Sequence, residues 1–145
     1  MNIATVDSTF DQLGETRTYN WQWQNQNIAV VYDVQGISQS RINRSVLLLP
    51  AFSTVCSRTE MADIAHTLAA NYQVTSIDWP GFGDSGRPRA LYDPAFYQQF
   101  LTDFMRDCLP HPISVVAAGH TAGYVLQLAQ AQPDWFDRLI LVAPT

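Results

Sequence analysis

The stretch Ile113-Ser-Val-Val-Ala-Ala-Gly-His-Thr-Ala-Gly-Tyr124 decides how the chain is read. Residues 113–118 are short, mostly apolar, rich in β-branched side chains and preceded by Pro110 and Pro112, the pattern of a buried strand. Residues 119–123 then turn the chain. Residues 124–132 run without a breaker until Pro133, which predicts a helix. Strand, glycine-flanked turn and helix put the hydroxyl of Thr121 at the centre of the turn. The flanking glycines let strand and helix approach closely, and the layout predicts that the central side chain is thrust out above the sheet.

Working outward, residues 133–138 read as a short connection and residues 139–143 as a further apolar strand. On the upstream side, Asp93-Pro94 is a cap followed by a favoured first helical residue. Phe96, Tyr97, Phe100, Leu101, Phe104, Met105 and Cys108 then form a broad helical face, read as core rather than as a binding stripe. Residues 46–49 are a continuous apolar run, as expected for a strand covered on both faces, and residues 72–77 read as a further strand. Between them, Ser57-Arg-Thr-Glu60 has the pattern of a capping box. Met61, Ile64, Ala65, Leu68 and Ala69 then form one apolar stripe at helical spacing. Residues 78–88 hold too much glycine and proline for regular structure.

Near the N-terminus, residues 16–24 alternate, with Tyr19, Trp21 and Trp23 on one face. Asn25-Gln26-Asn27 punctuates the chain before a second strand at 28–34, so the pair reads as an antiparallel hairpin. Residues 38–44 read as a polar linker. The fold class expected is α/β: a mostly parallel sheet with an N-terminal antiparallel hairpin and helices on both faces. Residues 1–145 are expected to be the N-terminal part of a single domain, with residues 1–15 poorly ordered. The expected piece is cut after the strand that follows the 124–132 helix, leaving an apolar edge for a partner to cover.

Composition narrows the function classes. A net charge of −5, with eight scattered cationic residues, all arginine, argues against nucleic acid as a partner. Cys56 and Cys108 lie far apart without ligand spacing, so no metal and no redox dithiol is expected. No cationic leader or run of membrane-spanning length is visible, and no membrane span is expected. The expected location is cytoplasmic or an organelle lumen such as a plastid, not secreted.

Gly119-His120-Thr121-Ala122-Gly123 resembles the G-x-S-x-G nucleophile elbow of the α/β-hydrolases, with threonine in place of serine. Four further stretches carry the resemblance, in the family's order. The Trp-rich hairpin from Asn20 to Tyr32 is similar to the opening strands, and residues 46–52 to the third strand and its oxyanion loop. Asp78-Trp-Pro-Gly-Phe-Gly-Asp-Ser-Gly-Arg-Pro88 is similar to the D-x-P-G-x-G-x-S loop. Leu139-Ile-Leu-Val-Ala-Pro144 is similar to the strand after the elbow helix.

The resemblance implies hydrolysis or acyl transfer on a small ester, thioester or related carbonyl substrate, without cofactor or metal. Thr121 matches the nucleophile, in a strained positive-φ conformation. Ala122 and Phe52 match the residues whose backbone N–H groups hold the oxyanion. The family's acid and histidine follow the nucleophile, and residues 124–145 contain no histidine, so the triad is incomplete in this chain. His120 is read as structural, His66 as an exposed helix residue and His111 as a loop residue. Pro50-Ala51 stands where the family often has His-Gly, which removes one backbone donor. The alternative is a non-catalytic relative that binds a ligand or partner in the same pocket. Gly81-Phe-Gly-Asp-Ser-Gly86 matches a dinucleotide fingerprint, but Arg87-Pro88 follows it where a helix should begin, so no nucleotide is expected.

Overall fold

The computed structural model describes residues 14–36 and 44–145. The expectations for residues 1–15 and for the linker at 38–44 fall outside these residues, apart from the last positions of each. Six strands form one mixed sheet: Glu15–Trp23 (β1), Gln26–Gln35 (β2), Ser45–Leu49 (β3), Gln73–Ile77 (β4), Ile113–Ala118 (β5) and Phe136–Val142 (β6). Their spatial order is β1-β2-β4-β3-β5-β6. β1 with β2 and β2 with β4 are antiparallel, and the pairs among β3, β4, β5 and β6 are parallel. The helices are Ala62–Leu68 (α1), Pro94–Cys108 (α2) and Thr121–Ala131 (α3).

Side-chain alternation along the central strands builds a core on each face. Leu47 and Leu49 of β3, Ile77 of β4 and Val115 and Ala117 of β5 pack towards α2 and α3. Val46 and Leu48, Val74 and Val116 point the other way, onto Met61, Ala65 and Ala69. A strand covered on both faces has no exposed side, so β3 is apolar throughout and the polar Thr75 and Ser76 of β4 are buried with their neighbours. The stripe predicted for α1 is narrower than its spacing suggested: Ile64 is 43 % exposed. The capping box is also only half made. Ser57 Oγ accepts from the Thr59 N–H, but Glu60 turns to the Ser53 hydroxyl at 3.4 Å instead of reaching back.

The hairpin turn is tighter than the sequence suggested. Trp23 pairs with Gln26, so only Gln24 and Asn25 form the loop, at φ 43° and 65°. Two successive left-handed residues give the turn whose twist matches that of the flanking strands. The Tyr19-Trp21-Trp23 face then lies on α2. Trp21 is fully covered, its ring 5.2 Å from Phe96 and 5.1 Å from Phe100, and its Nε1–H donates to Asp103 at 2.9 Å. α2 starts where Asp93 and Pro94 predict, with Asp93 Oδ1 accepting from the Phe96 N–H at 2.9 Å. At the sheet edge, β6 turns Leu139 and Leu141 to the larger core and leaves Ile140 and Val142 about half exposed.

Candidate active site

The carboxyl ends of β3, β4 and β5 open on the same side of the sheet, where parallel α/β sheets gather their ligands. The segments that follow them, together with the start of α2 and of α3, enclose a cavity of about 600 Å³. Phe52 comes from the segment after β3, Gly81 and Phe82 from the segment after β4, and Tyr97 from α2. The turn after β5 and α3 add His120, Gly123, Tyr124 and Gln127. Two loops are locked together beneath it by the Trp79 indole, whose Nε1–H donates to the Pro50 carbonyl at 3.1 Å. Phe52 stacks into the same cluster, 5.1 Å from Trp79 and 4.6 Å from Tyr97.

The residues after β4 fold around a buried carboxylate. Asp78 is wholly covered and accepts from the backbone N–H of Arg58 at 2.6 Å, from that of Asp84 at 2.9 Å, and from the Arg58 guanidinium. Gly83 sits directly over it: a Cβ there would lie 2.3 Å from the carboxylate, and the backbone has φ +51°. Only glycine meets both conditions. Ser85 donates to the Asp78 carbonyl at 2.7 Å and accepts from the Val31 N–H at 2.9 Å, tying the loop to β2. The conspicuous residues of this glycine-rich loop thus build its backbone. Burial works against the Arg58 cation, but Asp33, Asp78 and Asp84 outweigh it and hold its pKa above the ordinary value. Among the described residues no group of His, Cys, Asp or Glu is arranged to hold a metal ion, and no helix is long and apolar enough to cross a membrane.

The turn after β5 differs from its sequence reading. Positive φ falls on Gly119, at +62°, and not on Thr121. His120 already has helical angles, φ −63° and ψ −22°, so Thr121 opens α3. Its side chain is fully buried and its Oγ1–H donates to the Ala118 carbonyl at 2.8 Å. The expectation that this residue is thrust out above the sheet is therefore corrected. A β-branched residue avoids the left-handed region, whereas glycine adopts it freely, and the reversal shifts two positions towards the strand. The Ala122 N–H is also engaged, with the Gly119 carbonyl at 3.2 Å. The residue that does project is His120, exposed at the cavity mouth with Nδ1 3.0 Å from the Thr145 hydroxyl.

Several lining residues escaped the sequence reading. Tyr97 had been counted with the core face of α2, and burial does push its phenol well above the ordinary range. Tyr92 and Gln127 belong to no motif, while Phe82 and Tyr124 sit in or beside motifs that assign them no role. The one available signal was the spacing of His120, Tyr124 and Gln127, which puts them on one face of a helix.

A mixed sheet with helices on both faces, a glycine-rich loop after β4 and a sharp strand-to-helix turn after β5 define an α/β-hydrolase fold. The chain belongs to the alpha/beta hydrolase family, whose family model matches residues 46–145. It is 33 % identical over 76 residues to an uncharacterized protein of Mycobacterium tuberculosis (strain ATCC 25618 / H37Rv), a match covering 52 % of this chain and 22 % of the relative. Among solved structures it is similar to a serine hydrolase involved in carbazole degradation, with a TM-score of 0.77 and 18 % identity over 91 % of this chain and 48 % of that one. It is also similar to the thioesterase domain from the curacin biosynthetic pathway, with a TM-score of 0.75 and 18 % identity over 90 % of this chain and 46 % of that one. The chain thus spans about half the length of these structures and about a fifth of the mycobacterial relative.

Proposed function

We propose that the protein is a hydrolase or acyl-transfer enzyme acting on a small ester, thioester or related carbonyl compound held in the aromatic cavity. The observation that carries this reading is the cavity itself, open at the carboxyl ends of the parallel strands and bordered by the turn that bears Thr121. In the reaction proposed, the Thr121 side chain leaves the Ala118 carbonyl and its Oγ1 attacks the substrate carbonyl carbon. The proton passes to a histidine supplied from outside these residues and then to the departing alcohol or thiol. The N–H groups of Ala122 and Phe52 hold the oxyanion, and water releases the acyl group.

A second reading is favoured by the two hydrogen bonds that now occupy this machinery, Thr121 Oγ1 to Ala118 and Ala122 N–H to Gly119. In it the cavity binds a carbonyl compound and no attack follows. The test compares the natural full-length protein with its Thr121→Ser variant on p-nitrophenyl esters, alongside labelling by a fluorophosphonate. Labelling at Thr121 supports the enzyme. A parent that is inert, with a serine variant that gains hydrolysis, supports the binding protein and sinks the first reading.

A further inference from the structure

Among the described residues, no Asp, Glu, Lys or Arg lines the cavity. An anion entering there would lose water with no lysine or arginine among these residues to replace it, and with the charge of Asp93 beside Tyr124 opposing it. One wall consists of ring faces, with Phe52 centred 5.6 Å from Phe82 and 4.6 Å from Tyr97. The tyrosine hydroxyls on that side are already committed to the backbone: Tyr97 donates to Pro80 at 3.1 Å and Tyr92 to Pro88 at 2.6 Å. Both residues therefore offer the cavity carbon surface alone. The facing wall is α3, where His120, Tyr124 and Gln127 recur at the spacing of one helical face. The hydrogen bond that reaches Tyr124 goes to its carbonyl, from Gln98. Among the described residues its hydroxyl has no partner, and neither does the Gln127 amide.

We infer that the cavity selects an uncharged aryl carbonyl compound, an aryl ester or aryl ketone, whose ring lies against Phe52 and Phe82 and whose oxygen accepts a hydrogen bond from the Tyr124 hydroxyl. The inference rests on the reading of this cavity as the substrate site and names the ligand class it takes. A flat ring suits a wall of aromatic faces, where offset and edge-to-face contacts add to the gain from buried area. A phenolic donor facing a wall of carbon surface discriminates, because a ligand lacking the acceptor makes no hydrogen bond with it. Burial, with the charge of Asp93 beside it, raises the Tyr124 pKa, so the hydroxyl keeps its proton at neutral pH. Gln127, one turn further along, extends the polar strip from Tyr124.

The test uses the natural full-length protein and saturation-transfer NMR titrations with acetophenone and α-methylstyrene, which share a shape but exchange C=O for C=CH₂. Acetophenone is expected to bind about tenfold more tightly, the effect of one well-formed hydrogen bond. Tyr124→Phe should bring the two to parity while α-methylstyrene binding, which reports an intact cavity, is unchanged. Benzoate at pH 8 should bind at least about tenfold more weakly than acetophenone, because its charge is stripped of water. The inference is overturned if Tyr124→Phe retains the preference, if benzoate matches acetophenone, or if the natural protein binds neither neutral probe. Its failure is separate from that of the hydrolase reading. A protein that binds acetophenone through Tyr124 yet leaves every ester intact loses only the hydrolase reading. One that cleaves aliphatic thioesters and ignores acetophenone loses only the inference.

Discussion

Replacing Arg58 by methionine isolates what the buried Asp78 carboxylate costs the fold. Asp78 is fully covered, and among the described residues Arg58 is its one cationic partner, with a side chain only 15 % exposed. Arg58 also reaches Asp33 at 2.8 Å and Asp84 at 3.2 Å, but Asp84 is 75 % exposed and its share of the attraction is small. Arg58→Met keeps the chain length and apolar stem and leaves Asp78 with two backbone donors. Breaking a buried pair from one side costs about 3–5 kcal/mol, and with those donors retained we expect about 3 kcal/mol. For a urea dependence of about 2 kcal/mol/M the unfolding midpoint falls by roughly 1.5 M. The double variant Arg58→Met/Asp78→Asn has no buried charge, but its single amide oxygen serves only one of the two N–H groups, which donate to different oxygens of the carboxylate. It should recover about 1 kcal/mol of that loss. Urea titrations of the natural protein followed by tryptophan fluorescence read both, since the Trp79 indole adjoins the Asp78 loop. The reasoning is refuted if the single variant shifts the midpoint by less than about 0.3 M, or if the double variant costs the sum of the two single changes.

Three other outcomes follow from the same contacts. Gly83→Ala forces a Cβ to 2.3 Å from the Asp78 carboxylate at φ +51° and should cost about 2 kcal/mol or more in the same titration. Trp21→Ala empties the space between Phe96 and Phe100 and removes the indole donor from Asp103, which keeps Gln99 and Arg106, for a loss of about 3–5 kcal/mol read by thermal melting. Burial, and then the charge of Glu60, pushes the Cys56 thiol from 9.0 up to about 11, so at pH 8 a disulfide reagent should attack it roughly a hundredfold more slowly than in the unfolded chain. Because unfolding frees that thiol to ionise from pH 9 upward, its contribution to stability is present below pH 9 and is lost as pH rises through about 11.

The fold was largely legible because its signals are periodic and redundant. Leu47 and Leu49 face one core while Val46 and Leu48 face the other, and a run apolar at every position can do little else in an α/β chain. Asp93-Pro94 located the start of α2 to the residue. The setting of Thr121 was not legible, because the glycine-flanked pentapeptide is compatible with a reversal at either Gly119 or Thr121. The choice follows from a backbone preference that the motif does not encode. The cavity wall was hidden for another reason: Tyr97 and Phe100 sit on one helical face with the same pattern. Which ring borders empty space is set by where the neighbouring loops pass. Glu60 likewise satisfied a capping pattern and then found a better partner across a loop.

The knot around Asp78 divides the cavity into a fixed floor and an interchangeable rim. Arg87 is anchored to the carbonyls of Gly83 and Ser85, both at 3.1 Å, and Asp93 is held by its cap bond to Phe96. Between those two posts the backbone is held by Gln26, which donates to the Arg89 carbonyl at 2.9 Å, and by Tyr92, which donates to that of Pro88, while the Leu91 side chain is 78 % exposed. For an engineer the place to reshape the mouth is the Leu91 side chain, because the bonds that hold the floor around Asp78 do not pass through it.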